Sequence, residues 1–398
     1  MTKYSEKTRL LAMAVVLALM MTIPVAGTAS VPGDPCQGPQ GIGGMGSRAQ
    51  LPVQLNLFIP SYYQTCPAAS GSVSYQAASD SAAATAIQQH SQGSDPDNFP
   101  WVSYSSDLPL SIDEYSYSFV DVSHVISKPA PDSNINHLPV MLNGFAIGYN
   151  LSGCSTSPVQ LTSQDLATIY SGSITRWSQL VDNPQLATCP LSIRVSARLD
   201  EAASSVVLKD FMSTSLPTFD IYKQKKLNTV WPTTVTIGCL GTGEAGMGSC
   251  LLTPGTIGYL EYREAKSRNI PTAKVVNSSN VAFSPASSSS LGWPDNCELA
   301  ASAATPPFST SDPSWITYTL TTARDGYPLC AYSYQLVFTD LSRSYGNAMT
   351  SGRARNLADY LHSELTDQVQ ASLPQYGYAY VPVSVRDTVR AGIDGLNL

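Results

Sequence analysis

Short apolar runs rich in β-branched residues alternate with helical patterns along this 398-residue chain, and this alternation restricts the fold more than any other feature. The alternation is typical of an α/β fold in which helices flank mixed sheets. Residues 162–165 (Thr-Ser-Gln-Asp) resemble a capping box and predict a helix through Ile169. The segments that carry the pattern are 53–59, 73–77, 82–89, 101–104, 161–170 and 206–212.

The length of the ordered part favours two lobes, because about 350 residues exceed what one hydrophobic core comfortably holds. Two strand-like segments, 144–150 and 330–338, are expected to lie side by side as crossovers between the lobes. The chain ends would then build lobe I from residues 51–143 and 328–398, and residues 144–327 would form lobe II. In proteins of this topology, ligands bind in the cleft at helix N-termini.

The first 29 residues are predicted to be a signal peptide. Three basic residues within the first nine precede an apolar run at 10–23. Small residues at 25–30 then supply a signal-peptidase site, which we place after Ala29. The apolar run is too short for a membrane-spanning helix.

The segment after this signal is rich in Gly and Pro, so residues 30–50 are expected to form an irregular leader, with ordered structure beginning near Leu51. Residues 33–35 (Gly-Asp-Pro) do not form a lipobox before Cys36, which argues against a lipid anchor there. A periplasmic or secreted protein is expected.

The cysteine count indicates an oxidising compartment. All eight cysteines follow the signal, so four disulfides are expected. No Cys-x-x-Cys pair occurs and the four histidines are widely separated, so no metal site and no cofactor is predicted. Pairing between sequence neighbours joins Cys36 to Cys66, Cys154 to Cys189, Cys239 to Cys250 and Cys297 to Cys330.

The charge balance excludes one class of partner. The chain has 22 Lys and Arg against 29 Asp and Glu, and loss of a signal with three basic and one acidic residue takes the net charge from −7 to −9. The chain therefore has no excess of positive charge with which to bind nucleic acid. No Gly-x-Ser-x-Gly elbow and no His-Glu-x-x-His helix occurs, so no catalytic residue is assigned and no enzyme is predicted.

Residues 198–205 carry the strongest indication of a binding site, because they place Arg198 just before a predicted helix start. The first backbone N–H groups of a helix lack internal partners and the helix dipole is positive at that end, so a nearby guanidinium completes an oxyanion site. The alternative is that Arg198 and Asp200 form an ordinary surface ion pair.

Four segments carry a resemblance to a known family: residues 161–177, 254–262 (Pro-Gly-Thr-Ile-Gly-Tyr-Leu-Glu-Tyr), 327–334 and 357–382. In these segments the chain resembles the phosphate-binding proteins of bacterial phosphate importers, the PstS type, over residues 51–390. The resemblance implies a type II periplasmic binding protein fold with a cleft between two lobes. It also implies a monomer that binds inorganic phosphate, or a related oxyanion, for delivery to the permease of an ABC importer.

The site residues follow from the same resemblance. Residues 105–110 (Ser-Ser-Asp-Leu-Pro-Leu) match a family segment whose aspartate accepts a hydrogen bond from a protonated phosphate oxygen, a role that passes to Asp107. Fully ionised sulfate cannot supply that proton. In a second segment, the resemblance implies that Arg198 bonds the anion, Asp200 holds the guanidinium and Ser204 replaces a ligand Thr. The alternative for Asp107 is that it caps a turn.

Three further positions depart from the family pattern. Residues 75–81 resemble a ligand loop but place Asp80 where a ligand Ser is expected. Asp80 is also a predicted helix N-cap, with Ser79 or Ser81 as substitute donors. Asn56 is the nearest counterpart of a ligand Thr that ends a Gly-rich loop, and the glycines are missing there.

Ala202 and Ala203 replace a Ser and a Gly of the family, which removes one hydroxyl donor and adds a methyl group beside the backbone N–H groups. Loss of two charge-assisted hydrogen bonds, each worth about 1.5–3 kcal/mol, would lower affinity by about two to four orders of magnitude. An alternative function therefore remains open, in which a PstS-like scaffold has drifted to another ligand or to protein contacts.

Overall fold

The computed structural model describes residues 36–38, 40–66, 71–91, 101–110, 135–154, 158–223, 229–288 and 292–397. The predicted signal peptide and its cleavage site lie outside the described residues. Within these ranges, none of the helices has the length and apolar character needed to cross a membrane.

The described strands belong to two sheets, with eight strands in the larger and three in the smaller. Their bounds are β1 Ile42–Ser47, β2 Val73–Ala78, β3 Trp101–Ser106, β4 Ile135–Tyr149, β5 Gln160–Leu161, β6 Arg194–Arg198, β7 Ile237–Gly241, β8 Thr256–Glu261, β9 Lys274–Val276, β10 Ala282–Phe283 and β11 Cys330–Phe338.

Helices flank these sheets, which makes the fold mixed α/β as predicted. Their bounds are α1 Leu51–Val53, α2 Ile59–Thr65, α3 Asp80–Ser91, α4 Ser163–Tyr170, α5 Ala203–Ser213, α6 Asp220–Lys223, α7 Gly243–Cys250, α8 Tyr262–Ser267, α9 Asn296–Ala303, α10 Leu341–Tyr345, α11 Ser351–Glu364, α12 Asp367–Ser372 and α13 Val383–Asp394. A π-helical turn, Gln54–Phe58, joins α1 to α2. Short 3₁₀ turns lie at Arg48–Gln50, Trp177–Gln179, Pro184–Leu186, Pro217–Phe219, Pro313–Thr317, Gly346–Ala348 and Leu373–Tyr376.

The capping box predicted at Thr162 is confirmed. The Thr162 hydroxyl accepts a hydrogen bond from the backbone N–H of Asp165, and the Asp165 carboxylate accepts one from the backbone N–H of Thr162. This reciprocal pair satisfies two donors that a helix start leaves free, so α4 begins where the sequence indicates.

The larger sheet has the order β2-β1-β3-β11-β4-β8-β6-β7. Strands β1, β2 and β3 run parallel to each other, as do β6, β7 and β8. Strand β11 is antiparallel to both β3 and β4, and β4 is antiparallel to β8. We call β1, β2, β3 and β11 strand group I, and β6, β7 and β8 strand group II.

The long strand β4 joins the two groups. Its residues 135–144 pair with β11 and its residues 145–149 pair with β8, and all fifteen residues are buried. Along β4, the strands β1 to β3 and the strands β6 to β8 run in opposite directions. Their carboxyl ends therefore face each other near the middle of β4, where a cleft between two lobes is expected. The lobe boundaries at 143/144 and 327/328 stay a prediction.

The predicted crossover pair is wrong in register. Strand β11 pairs with residues 135–144, so it meets the predicted partner segment 144–150 only where Cys330 lies opposite Gly144. The sequence placed the start of the crossover at Gly144, but the strand begins at Ile135. Polar residues and a proline interrupt the apolar pattern in the first half of the strand, at Asn136, His137, Pro139 and Asn143, so only residues 144–150 have the pattern of a strand.

The expectation that ordered structure begins near Leu51 is also wrong, because residues 42–47 form β1 within the larger sheet. Its glycines permit a close approach between β1 and β3. Gly46 has φ +148°, and a Cβ placed there would lie 2.0 Å from the carbonyl oxygen of Ser105. Glycine in this strand therefore reflects backbone contact and not a loop.

All four predicted disulfides are confirmed. The pairs Cys36–Cys66, Cys154–Cys189, Cys239–Cys250 and Cys297–Cys330 have Cα–Cα distances of 5.0, 5.2, 5.8 and 5.6 Å. The bridge from Cys297 ties α9 to the start of β11, whereas the bridge from Cys239 ties β7 to α7.

We expect removal of the Cys297–Cys330 bridge to destabilise the protein more than removal of the Cys239–Cys250 bridge. The first closes a loop of 33 residues and the second a loop of 11. Loop-closure entropy in the unfolded chain predicts a difference of about 1 kcal/mol in the free energy of unfolding. Urea unfolding of the two double Cys→Ala variants measures this difference, and equal losses would contradict the expectation.

Candidate functional site

Strand group I places three polar side chains at its carboxyl edge. Ser47 ends β1, Asp107 directly follows β3, and Asp80 follows β2 at the start of α3. The carboxyl ends of parallel strands lie at one edge of a sheet, so these side chains are brought together although the sequence separates them.

Asp107 lies at the centre of this group and is 3% exposed. Its Oδ1 accepts hydrogen bonds from Ser333 Oγ at 2.7 Å and from Gln50 Nε2 at 3.3 Å, and its Oδ2 accepts one from Ser47 Oγ. The backbone N–H of Asp107 donates to Asp80 Oδ1 at 2.8 Å. These contacts fix both the position and the plane of the carboxyl group.

Burial raises the pKa of Asp107 from its ordinary value of 3.8 to about 7. The negative charges of Asp80 and Glu261 raise this pKa further, while the hydroxyls of Ser47 and Ser333 oppose them. The shift follows because burial penalises the charged carboxylate more than the neutral acid. Near neutral pH, Asp107 therefore exchanges between a form that only accepts hydrogen bonds and a form that also donates one.

Strand group II supplies the cation. Arg198 ends β6, and its side chain is 6% exposed. Asp200 holds the guanidinium with both carboxylate oxygens, at 2.8 Å from Nε and 2.5 Å from Nη2. Nη1 donates to Glu244 Oε1. Burial alone would lower the pKa of Arg198, but the Asp200 hydrogen bonds and the Glu244 charge outweigh burial and raise this pKa.

A short chain of contacts connects Arg198 to strand group I. The second oxygen of Glu244, Oε2, accepts a hydrogen bond from the backbone N–H of Glu261 at 2.7 Å. The Glu261 carboxylate pairs with Arg263 Nε at 2.6 Å, and Arg263 Nη2 donates to the carbonyl oxygen of Ala49 at 3.3 Å. Glu261 also acts on the pKa of Asp107. The chain of contacts from Arg198 through Glu244, Glu261 and Arg263 thus ends at Ala49, whose neighbour Gln50 donates to Asp107.

Helix α5 begins at Ala203, shortly after Arg198 in the chain, as predicted. Its N-cap Ala202 makes no side-chain hydrogen bond, so the side chain leaves the first N–H groups of the helix uncapped. Ser204 is 1% exposed and its Oγ has no hydrogen-bond partner within the described ranges. The next hydroxyl, Ser205 Oγ, lies 2.8 Å from the Tyr259 hydroxyl oxygen, which accepts the backbone N–H of Arg198 at 2.9 Å.

The buried hydroxyl of Ser204 suits a bound anion. An unsatisfied buried hydroxyl is costly, and the positive end of a helix favours a negative ligand. The departures at Ala202 and Ala203 leave this hydroxyl in place but line the helix start with methyl groups, since both residues are buried. The start of α5 is linked to Arg198 through Tyr259, whose hydroxyl contacts both Ser205 Oγ and the backbone N–H of Arg198.

Acidic groups nevertheless outnumber basic groups around the candidate site. An anion that enters must therefore bring protons or displace a carboxylate. The acidic residues in the described contact network are Asp80, Asp107, Asp200, Glu244 and Glu261, and the basic residues are Arg198 and Arg263. Among the described residues, no three or more His, Cys, Asp or Glu side chains are arranged to hold a metal ion.

The N-cap prediction for Asp80 is wrong. The Ser79 hydroxyl caps α3 by accepting the backbone N–H of Ala82 at 3.1 Å, whereas Asp80 accepts the backbone N–H of Asp107. Ser81 Oγ lies 3.0 Å from Ser79 Oγ, so the two hydroxyls bond locally. A ligand role for Asp80 and Ser81 stays a prediction.

Asn56 lies away from these contacts. It is exposed in the π-helical turn, and its Nδ2 donates to the carbonyl oxygen of Pro52 in the preceding turn at 2.9 Å. The glycines that were missing near Asn56 occur earlier, at 41–46, and the polar residue that follows them is Ser47. That Gly-rich segment is the sequence feature by which Ser47 could have been identified as a site residue. No local signal marks Ser333, which reaches Asp107 from the far end of the chain.

Comparison with known proteins adds three findings. Residues 40–364 match the model of the PBP superfamily domain. Phosphate-binding protein PstS 3 of Mycobacterium tuberculosis is 29% identical over 180 residues, which are 44% of this chain and 44% of that relative. The match thus spans less than half of the curated relative's length.

Two solved structures share the fold. A phosphate-binding protein from Stenotrophomonas maltophilia aligns with a TM-score of 0.58 and 17% identity, over 88% of this chain and 93% of that one. A phosphate ABC transporter substrate-binding protein with bound phosphate, from Clostridium perfringens, aligns with a TM-score of 0.51 and 13% identity, over 86% and 100% of the two chains. At these identities the likeness concerns the fold.

Proposed function

Because this chain belongs to the PBP superfamily, we propose that it is an extracytoplasmic solute-binding protein that takes up inorganic phosphate or a related oxyanion for delivery to the permease of an ABC importer. The assignment of phosphate is supported by the curated PstS 3 relative and by the phosphate-binding proteins that share the fold. The proposal gives the protein no catalytic role, no cofactor and a monomeric state.

One observation carries the proposal. Ser204 Oγ is buried without a partner within the described ranges, at the start of α5 and close in sequence to Arg198. In the proposed complex the Ser204 hydroxyl, the first N–H groups of α5 and the free N–H groups of Arg198 bond the anion, while Asp200 holds the guanidinium in place. Asp107 accepts a hydrogen bond from a protonated phosphate oxygen.

We also assign Ser47 a role in this site in place of Asn56. Ser47 donates its hydroxyl to Asp107 Oδ2 and ends the Gly-rich strand β1. It therefore orients the carboxyl group that would accept a hydrogen bond from a protonated oxygen of the ligand. A hydroxyl that is already bonded to Asp107 positions that residue, so Ser47 is expected to affect discrimination between anions more than overall affinity.

A second candidate function is favoured by the excess of acidic groups in the same contact network. In this alternative the scaffold has drifted to another ligand or to protein contacts, and the carboxylates of Asp200 and Glu244 serve to neutralise Arg198. The two functions differ in what the cleft binds at micromolar concentration.

Titration calorimetry on mature protein from which phosphate has been removed separates the two functions. Sulfate serves as the control because it is fully ionised at neutral pH and carries no proton for Asp107. Binding of phosphate with little or no binding of sulfate is the result expected for a phosphate receptor. Failure to bind either anion at millimolar concentration would favour the drifted scaffold.

A further inference from the structure

Glu244 occupies a position on Arg198 that an anion would take. Helix α7 directly follows β7, and its second residue is Glu244. Glu244 Oε1 bonds Arg198 Nη1 while Asp200 bonds Nε and Nη2, so all three guanidinium nitrogens donate to carboxylates. The backbone N–H of Gly243 donates to Asp200 Oδ1 at 3.0 Å, which fixes the start of α7 against the same pair.

The second oxygen of Glu244 is also held. It accepts the backbone N–H of Glu261 at the end of β8, so the carboxylate bridges two strands of group II through Arg198 and Glu261. Its side chain is 22% exposed. The titratable and charged groups that face or act on it are Arg198, Asp200, Tyr259, Glu261, Arg263 (through its pair with Glu261) and Tyr378.

We propose that Glu244 is an internal competitor for the anion on Arg198, and that an oxyanion binds this cleft with uptake of a proton by Glu244. The proposal rests on the assignment of Arg198 as the anion donor. A carboxylate and an oxyanion have the same sign of charge and use the same N–H donors. Two such groups beside one guanidinium repel each other, and protonation of Glu244 removes that repulsion.

The direction of the pH effect follows from the charges. Burial and the Glu261 charge raise the pKa of Glu244 to about 7, against the opposing effect of Arg198. Below this pH Glu244 is neutral, so an anion meets a guanidinium that pairs with Asp200 alone. Above it the competing carboxylate is ionised, so anion affinity falls as pH rises through the neutral range.

Calorimetric titration of phosphate into wild-type protein and the Glu244→Gln variant tests the proposal, at pH 6 and pH 8. Each titration is run in two buffers that differ in ionisation enthalpy, which counts the protons taken up. If the anion shifts the pKa of Glu244 by about one unit, the variant binds about fivefold more tightly than wild type at pH 8 and nearly equally at pH 6. The variant also takes up fewer protons than wild type, by about 0.4 at pH 8.

Phosphate and Asp107 both titrate in this range, but the protons that they take up or release are counted equally in wild type and variant. The difference in proton count therefore isolates Glu244. Glu264→Gln is the matched control, because Glu264 pairs with Arg268 at 2.5 Å and not with Arg198. It is expected to leave affinity and proton count unchanged. Thermal melting checks folding, and Glu244→Ala replaces Glu244→Gln if the latter does not fold.

The outcomes separate this inference from the proposed function. Phosphate binding by wild type with no gain in Glu244→Gln, and with an equal proton count, would overturn the inference and leave the receptor function intact. Binding by Glu244→Gln without binding by wild type would support the inference and reject the phosphate function for the native chain. Absence of binding in both proteins at both pH values would overturn both.

Discussion

Replacing Arg198 with alanine is expected to lower the affinity for phosphate and for sulfate by at least about thirtyfold, since a buried charged partner typically contributes about 2–5 kcal/mol. Arg198 is the cation that pairs with Asp200 and Glu244, and its loss leaves the ligand facing these two carboxylates. Calorimetric titration of both anions measures the loss. Unchanged affinity would place the anion elsewhere in the molecule.

The same variant is expected to lose stability in a pH-dependent manner. Without the guanidinium, Asp200 and Glu244 are two carboxylates with no cation between them, which costs about 3 kcal/mol of unfolding free energy at pH 8. The pKa of Glu244 then lies still further above its unfolded value. The free-energy cost of ionised Glu244 is therefore absent below about pH 4.5 and complete above its folded-state pKa. The loss of stability in Arg198→Ala becomes smaller as pH falls for this reason.

Urea unfolding at pH 8 and pH 5 measures this pH dependence. Arg268→Ala is the matched control, because it breaks the more exposed pair with Glu264. A loss of less than about 1 kcal/mol, equal at both pH values, is expected for that control. A loss of the same size in Arg198→Ala at both pH values would show that Glu244 stays ionised.

Those parts of the fold that depend on local pattern could be predicted from the sequence. The capping box at Thr162 and the helix start after Arg198 are set by residues within a few positions of each other. The disulfide pairing was predictable because each bridge closes a loop of at most 35 residues. In these cases the sequence neighbours are also the spatial neighbours.

The partners of the site residues could not be predicted, because strand pairing determines them. Ser333 reaches Asp107 across 226 residues of sequence, and Glu244 reaches Arg198 across 46. Neither contact leaves a local pattern. Ser47 was predictable in principle, but its Gly-rich strand was interpreted as an irregular leader, since glycine is frequent in both loops and close strand contacts.

Asp107→Asn is expected to relax the discrimination between phosphate and sulfate by about a hundredfold, because a site built to accept a ligand proton rejects an analogue that lacks it. The amide can donate to a fully ionised sulfate oxygen, where an ionised Asp107 can only repel it. The ratio of the two dissociation constants measures the effect. Ser333→Ala is the matched control, since it removes a donor to Asp107 Oδ1 without removing the carboxyl group.

The stability of the ligand-free protein tests Asp107 independently of any anion. The folded-state pKa of Asp107 is raised to about 7, so its ionised form opposes folding increasingly between pH 4 and pH 7 and fully above that range. The neutral amide of Asp107→Asn escapes this penalty but loses one hydrogen bond, which leaves a gain of about 1–2 kcal/mol at pH 8. Near pH 4 this gain disappears. A variant that is less stable than wild type at pH 8 would show that Asp107 acts as a structural turn residue whose charge is well accommodated.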